Sequence, residues 1–364
     1  MKERHSKYEK IAEVPMFDPA ANAEGSTNSM FHGNTTGLID MIDQQITPDF
    51  YQKHTEKMFA NMWHPTKYPV TSDTKIYHTL TEVEKESFKK ALSHLTSLDS
   101  LQVHNLPRIA AKIRYPEIAG VLAFQEMQES LHSFSYAYIY NSLFTKEEAR
   151  EIRDMIKTDP VMRERAIKLK DAYTALDGDT VEGMLKILLT NIVLEAVMFY
   201  SIFNFFFYLK YRGKMINVAT VIAWIKKDEV THIDVFADIL NKFKQDYPDV
   251  WDEEFIVNFL IEQTKTESKY SSYIIDRRIP GFSPENIEMY TKHRMNKVFR
   301  LLDIGTKFEN VQNPFLHLER VGNVSDGEEV NASSTETSIF EAHSINYFDP
   351  AIKIKDYKEF LNAE

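Results

Sequence analysis

The 364-residue chain contains no cysteine. That excludes a disulfide framework, a thiolate zinc site and a thiol nucleophile. Any bound metal must therefore be held by His, Asp and Glu, a donor set suited to iron, manganese or zinc and not to a copper–thiolate centre. Glycine is scarce, with 11 residues in all, and strand-like alternation is rare. The net charge of −11 leaves no general attraction to phosphate backbones. The opening residues, MKERHSKYEKIAEVPMF, lack the continuous apolar core of a signal peptide. Long apolar runs are also few. The exception is ILLTNIVLEAVMFYSIFNFFFYL, Ile187 to Leu209, which is long enough to span a bilayer. It carries Glu195 near its middle, with Asn191 and Asn204, and so reads as a helix buried on all sides in a large helical protein. A cytoplasmic protein is expected.

What is present is helical period. At 43% hydrophobic and 12% aromatic the chain can bury a sizeable core, and its pattern predicts an all-α fold. Thr81-Glu82-Val83-Glu84 and Thr145-Lys146-Glu147-Glu148 have capping-box form. They open helices running to about Lys112 and to about Asp159, before Pro160. Between them a helix is expected over Tyr115 to Leu143. Further helices are expected over Arg163 to Leu176, Val181 to Tyr211, Val218 to Phe243, Asp252 to Ile275 and Ser283 to Ile304. The last has Pro284 at its start and Gly305 at its end. Three regions follow: a partly flexible N-terminal segment over 1–48, a helical domain over 49–310, and a flexible linker with a C-terminal tail over 311–364. The linker holds GNVSDGEEVNASSTETS, polar and without helical period. The apolar INYFDPAIKIKDYKEFL beyond it would either dock on a partner or fold back on the body.

Two Glu-x-x-His pairs stand out, Glu129/His132 and Glu229/His232. Residues three apart share one helix face, so each pair can reach one point. Asp99 lies 30 residues before Glu129, and Glu195 lies 34 before Glu229, both in apolar helical stretches. Four carboxylates and two imidazoles on four successive helices suit two divalent metals, the known ligand arrangement of di-iron and di-manganese carboxylate bundles. Lys226 and Lys227 cannot offset so many buried acids as ion pairs. His94 and His104 are not at ligand spacing with Asp99 and read as ordinary histidines. Glu126 reads as a solvated face. Tyr136 stacks one turn after His132. It is either core or, beside an oxidising dimetal centre, the group nearest to being oxidised.

Asp99, Glu129-x-x-His132, Tyr136, Glu195 and Asp228-Glu229-x-x-His232, in this order and spacing, resemble the radical-generating small subunit of class I ribonucleotide reductase. The likeness covers about residues 55 to 310 and a fragment of the tail. Met62-Trp63-His64-Pro65, ESLHSFSY and LEAVMFYSIF are similar to further family elements. Lys227 departs from the family, which often has Arg there.

The resemblance implies a ferritin-like bundle and a homodimer. It implies one metal on Asp99, Glu129 and His132 and another on Glu195, Glu229 and His232, with Glu129 and Glu229 able to bridge. The metal would be iron, or manganese with a flavoprotein activator. Tyr136 would carry a radical within an apolar shelter of Phe199, Phe203 and Ile225. Trp63 and Asp228 would begin the radical-transfer path through His132. Tyr347, with Tyr357 as its rival, would relay the radical to a large subunit docked by the tail. That partner would supply the thiols this chain lacks. Two other functions share the ligand set: a di-iron oxidase or hydroxylase with its own substrate, and a non-enzymatic iron-binding bundle.

Overall fold

The computed structural model describes residues 6–20, 29–39, 41–42, 44–174 and 179–324. Among these the architecture is all helical apart from one isolated bridge, Lys10 to Thr180. The helices are α1 (Phe50–Ala60), α2 (Thr74–His78), α3 (Glu82–Ala110), α4 (Pro116–Leu143), α5 (Lys146–Thr158) and α6 (Pro160–Thr174). They continue with α7 (Val181–Val193), α8 (Phe199–Tyr211), α9 (Ile216–Asp246), α10 (Glu253–Ile274), α11 (Pro284–Leu301) and α12 (Leu316–Val321).

Local chemistry sets these boundaries. Both capping boxes form: Thr81 and Thr145 each accept the amide three residues on, and Glu84 and Glu148 reach back to the cap amides. Pro160 does not merely end α5; it is the first residue of α6. The Asp159 carboxylate accepts the amides of Val161 and Met162, both at 3.0 Å, so the proline's missing N–H costs nothing there. Gly305, at φ +77°, lets the chain turn away after α11 in a conformation that side-chain-bearing residues rarely adopt.

Long helices α3, α4, α8 and α9 pack on one another, and α7 lies against α9. Of the apolar stretch Val181–Tyr211, every residue from Ile187 to Leu209 is buried among them, so that run has no face left for lipid. It is not one regular helix, however. Leu194–Met198 forms a π turn between α7 and α8. Its wider closure depends on contacts from distant helices, which local periodicity does not encode.

Three other features differ from expectation. Helix α1 was not foreseen, because FYQKHTEKMFA mixes polar and apolar residues without a clean stripe. Within the 1–48 segment, Met30 and Phe31 are fully buried, and the Tyr247 hydroxyl bonds Ser29, the Phe31 amide and His32. The packed body also runs past 310: Phe315 and Leu318 are buried, and α12 lies on α8. Tyr347, Tyr357 and the rest of the expected tail lie outside the described residues.

Candidate metal centre

Asp99 comes from α3, Glu129 and His132 from α4, Glu195 from the π turn, and Glu229 and His232 from α9. All six are completely buried. The side chains form two overlapping groups: Asp99, Glu129, His132 and Glu229; and Glu129, Glu195, Glu229 and His232. In each, the ligand atoms lie within 4.8 Å of one another. Glu129 and Glu229 belong to both.

Each imidazole turns Nδ1 toward the carboxylates and Nε2 away. His132 Nδ1 lies 3.0 Å from Asp99, 3.4 Å from Glu129 and 3.3 Å from Glu229. His232 Nδ1 lies 2.7 Å from Glu229, 3.2 Å from Glu129 and 3.8 Å from Glu195. On the outer side, His132 Nε2–H donates to Asp228 at 3.1 Å, and His232 Nε2–H donates to Gln128 Oε1 at 3.1 Å. Those outer bonds hold the tautomer that leaves the Nδ1 lone pair for a metal.

The electrostatics describe a donor set short of cations. No lysine or arginine forms an ion pair with the four carboxylates among the described residues. Burial pushes Asp99 and Glu195 well above the usual carboxylate range, and neighbouring carboxylate charges add to this. Burial acts the same way on Glu129 and Glu229, but the imidazoles overcome it and hold both below that range. Burial would lower His132 and His232; the surrounding carboxylates outweigh it and raise both well above an ordinary histidine. Even so, Asp99 Oδ2, Glu129 Oε2, Glu195 Oε2 and Glu229 Oε1 make no hydrogen bond. Buried carboxylate oxygens without partners are costly. Oxygen and imidazole donors converging on two shared points fit a pair of divalent ions.

Tyr136 is fully buried on α4, and its hydroxyl makes no hydrogen bond of good geometry. Burial, and then the charge of nearby Asp99, raise its pKa well above that of a free phenol, so it stays protonated. Phe199, Phe203 and Ile225 are also buried, with the two phenyl rings stacked at 5.7 Å and 14°. Trp63 Nε1–H donates to Asp228 Oδ2 at 2.8 Å, the oxygen that also takes the His132 proton. One carboxylate oxygen therefore joins the indole to the His132 imidazole. His94 bonds Tyr270 in the core and His104 is exposed, so neither belongs to the centre.

Sequence reasoning missed a buried amide shell. Gln102 and Gln125 both donate to Glu195 Oε1, the second at 3.0 Å, and Asn191 donates to the same oxygen at 3.4 Å. Their register was a usable signal, since Gln125 and Asn191 each stand one turn before a carboxylate of the cluster, Glu129 and Glu195. Trp224 was missed as well. It stacks on Trp63 at 6.3 Å and on Tyr68 at 6.5 Å, extending an aromatic column away from His132.

Known proteins similar to this chain belong to one family. The family "Ribonucleotide reductase, small chain" matches residues 44–314. The ribonucleoside-diphosphate reductase subunit beta of Treponema pallidum is 30% identical over 345 residues, 94% of this chain and 96% of that protein. The corresponding subunit of Halalkalibacterium halodurans is 28% identical over 325 residues, 88% and 93% of the two chains. The solved ribonucleotide reductase R2 subunit from Clostridium botulinum is similar with a TM-score of 0.80 at 27% identity, covering 87% of this chain and 100% of that one. The chain belongs to the ribonucleotide reductase small-chain family, the beta subunits of class I ribonucleoside-diphosphate reductases.

Proposed function

We propose that this subunit generates an oxidising equivalent, stores it on Tyr136, and passes it to a large subunit that reduces the ribonucleotide. Asp99, Glu129 and His132 would hold one metal, and Glu195, Glu229 and His232 the other, with Glu129 and Glu229 spanning both. Iron is the first assignment; manganese, served by a flavoprotein activator, is the second, since the oxygen and nitrogen donors suit either. Bound there, such a pair supplies, from oxygen or an activator-derived oxidant, the power to oxidise a phenol.

The remaining roles belong to the chain. Tyr136 loses one electron together with its phenolic proton, leaving a neutral radical; Asp99 is the carboxylate facing that hydroxyl. Phe199, Phe203 and Ile225 keep water and reductants away. Asp228 holds the indole N–H of Trp63 and the Nε2–H of His132 on one oxygen, so Trp63 can exchange an electron with the centre while the proton stays bonded. Tyr347, or its rival Tyr357, then relays the equivalent through the docked tail.

A homodimer is part of the same reading. On the outer faces of α1 and α4, Phe59 is 57% exposed, Phe134 47% and Met127 37%, an apolar surface that a second copy would cover.

The His132–Asp228–Trp63 chain carries the proposal, because a centre acting on its own substrate has no need of a wired exit. An oxidase would instead need a substrate cavity opening on the ligands. The cleft of about 760 Å³ lined by Thr81, Glu84, Tyr208, Arg212, Arg278 and His317 touches none of them. The test pairs the metal-loaded chain with a large subunit and follows reduction of a ribonucleoside diphosphate. The full chain should support turnover. A chain ending at Asn331 should keep its radical and lose turnover. Undiminished turnover by the shortened chain would remove the tail from the mechanism.

A further inference from the structure

Glu195 is the one metal ligand not carried by a regular α turn. In the π turn that presents it, the Phe199 amide closes back on the Leu194 carbonyl, five residues away. Such a turn is less stable than the α turns beside it and persists only where something else holds it. Two side chains do so here. Ser201 Oγ donates to the Val197 carbonyl at 2.8 Å. Arg294, from α11, donates its Nε–H to the Ala196 carbonyl at 2.8 Å. The same guanidinium lies over the Tyr200 ring, 3.5 Å from its centroid and one helical turn beyond Ala196. Arg294 therefore grips the residue next to Glu195 and the turn that follows.

The position is costly to fill with a cation. Arg294 is only 3% exposed, and no carboxylate pairs with it at ion-pair distance among the described residues. The charge of Glu319 in α12 acts on it through space. A buried arginine without a direct ion pair needs another reason to be there. The Ala196 carbonyl and the Tyr200 face supply one.

We infer that Arg294 is a positioning residue for Glu195: by fixing the π turn it aims the Glu195 carboxylate into the second metal site. Lysine cannot substitute. Its ammonium has neither the Nε–H geometry nor the planar face, so it cannot hold the carbonyl and cover the ring together. The amide shell of Gln102, Gln125 and Asn191 fixes one Glu195 oxygen from in front. Arg294 fixes the backbone behind it.

The inference rests on the two-metal reading, and cobalt(II) titration of metal-free full-length protein tests both, read by its visible absorption. Wild type should bind two ions per chain. Arg294→Lys and Arg294→Gln should bind the first normally and the second roughly 10–100-fold more weakly, the usual effect of losing an outer support. In a Glu195→Ala background, which has already lost that ligand, Arg294→Gln should change nothing further. Circular dichroism confirms the fold of each variant. Tyr200→Leu, which removes the stacked face and the hydroxyl that donates to the Lys226 carbonyl at 3.4 Å but leaves the Arg294–Ala196 bond, should show the same effect in milder form if the arginine variants misfold. Unchanged affinity at both sites in a folded Arg294 variant would overturn the inference. So would a further loss at the remaining site in the Glu195→Ala background. Fewer than two ions on wild type would instead overturn the two-metal reading on which it rests.

Discussion

Replacing Trp63 by Phe keeps an aromatic ring in the buried slot but removes the indole N–H and the easily oxidised ring system. Asp228 then loses its 2.8 Å donor. It is fully buried, and its Oδ1 already has no partner. The carboxylate would be left with the His132 proton alone. A hydrogen bond to a charged group contributes about 1.5–3 kcal/mol. The smaller ring leaves a cavity worth roughly another 1 kcal/mol. The expected loss is thus about 2.5–4 kcal/mol, or roughly 5–15 °C in melting temperature at about 2–4 °C per kcal/mol. Scanning calorimetry on the metal-free protein reads that number. The functional effect should be separate and larger. Tyr136 and the six ligands are untouched, so the tyrosyl signal should still form, while turnover with the large subunit falls to background. Met62→Leu, at the neighbouring and partly exposed position, should change neither. Turnover by Trp63→Phe close to wild type would refute the exit path. Loss of the radical itself would place Trp63 in generating it and not only in exporting it.

Two further tests address stability and assembly. Burial pushes His94 down to about 3, against an unfolded value near 6.5. Because the folded value is the lower one, the unfolded state binds more protons between these limits; stability is therefore full above pH 6.5 and lost as the pH falls toward 3. Between pH 7 and pH 4.5 this amounts to roughly 2–3 kcal/mol. Urea unfolding should show His94→Gln losing that much less than wild type over the interval, and parallel losses would contradict the assignment. Phe59→Glu places a charge on the exposed face of α1; if the proposed homodimer uses that face, light scattering should show wild type as a dimer and the variant as a folded monomer, and a variant that stays dimeric would clear the face.

The clustering of the six side chains was readable in the sequence because two constraints coincide. Helical spacing put Glu129 with His132 and Glu229 with His232, and apolar surroundings made four buried acids hard to explain without metal. The same logic reached Asp228 and Trp63 only through the family likeness, since nothing local joins residues 165 positions apart. The π turn was illegible for a related reason. Its support comes from Arg294, 98 residues from Ala196 in the chain, while its own sequence, LEAVM, looks like ordinary helix. Helix α1 lacks a clean apolar stripe, and α12 has only six residues, too few for period to show. The amide shell was legible in principle, one turn from the ligands, but a glutamine in a helix has many ordinary uses.

The most direct measurement is electron paramagnetic resonance. Metal-free protein is loaded anaerobically with ferrous iron and then exposed to oxygen. Wild type should give a tyrosyl signal and Tyr136→Phe none, with both proteins binding the same amount of iron. A tyrosyl signal that survives in Tyr136→Phe would contradict the assignment of Tyr136. Iron-loaded wild type without a radical, and still without one after manganese is supplied with a superoxide source, would contradict radical storage in this subunit.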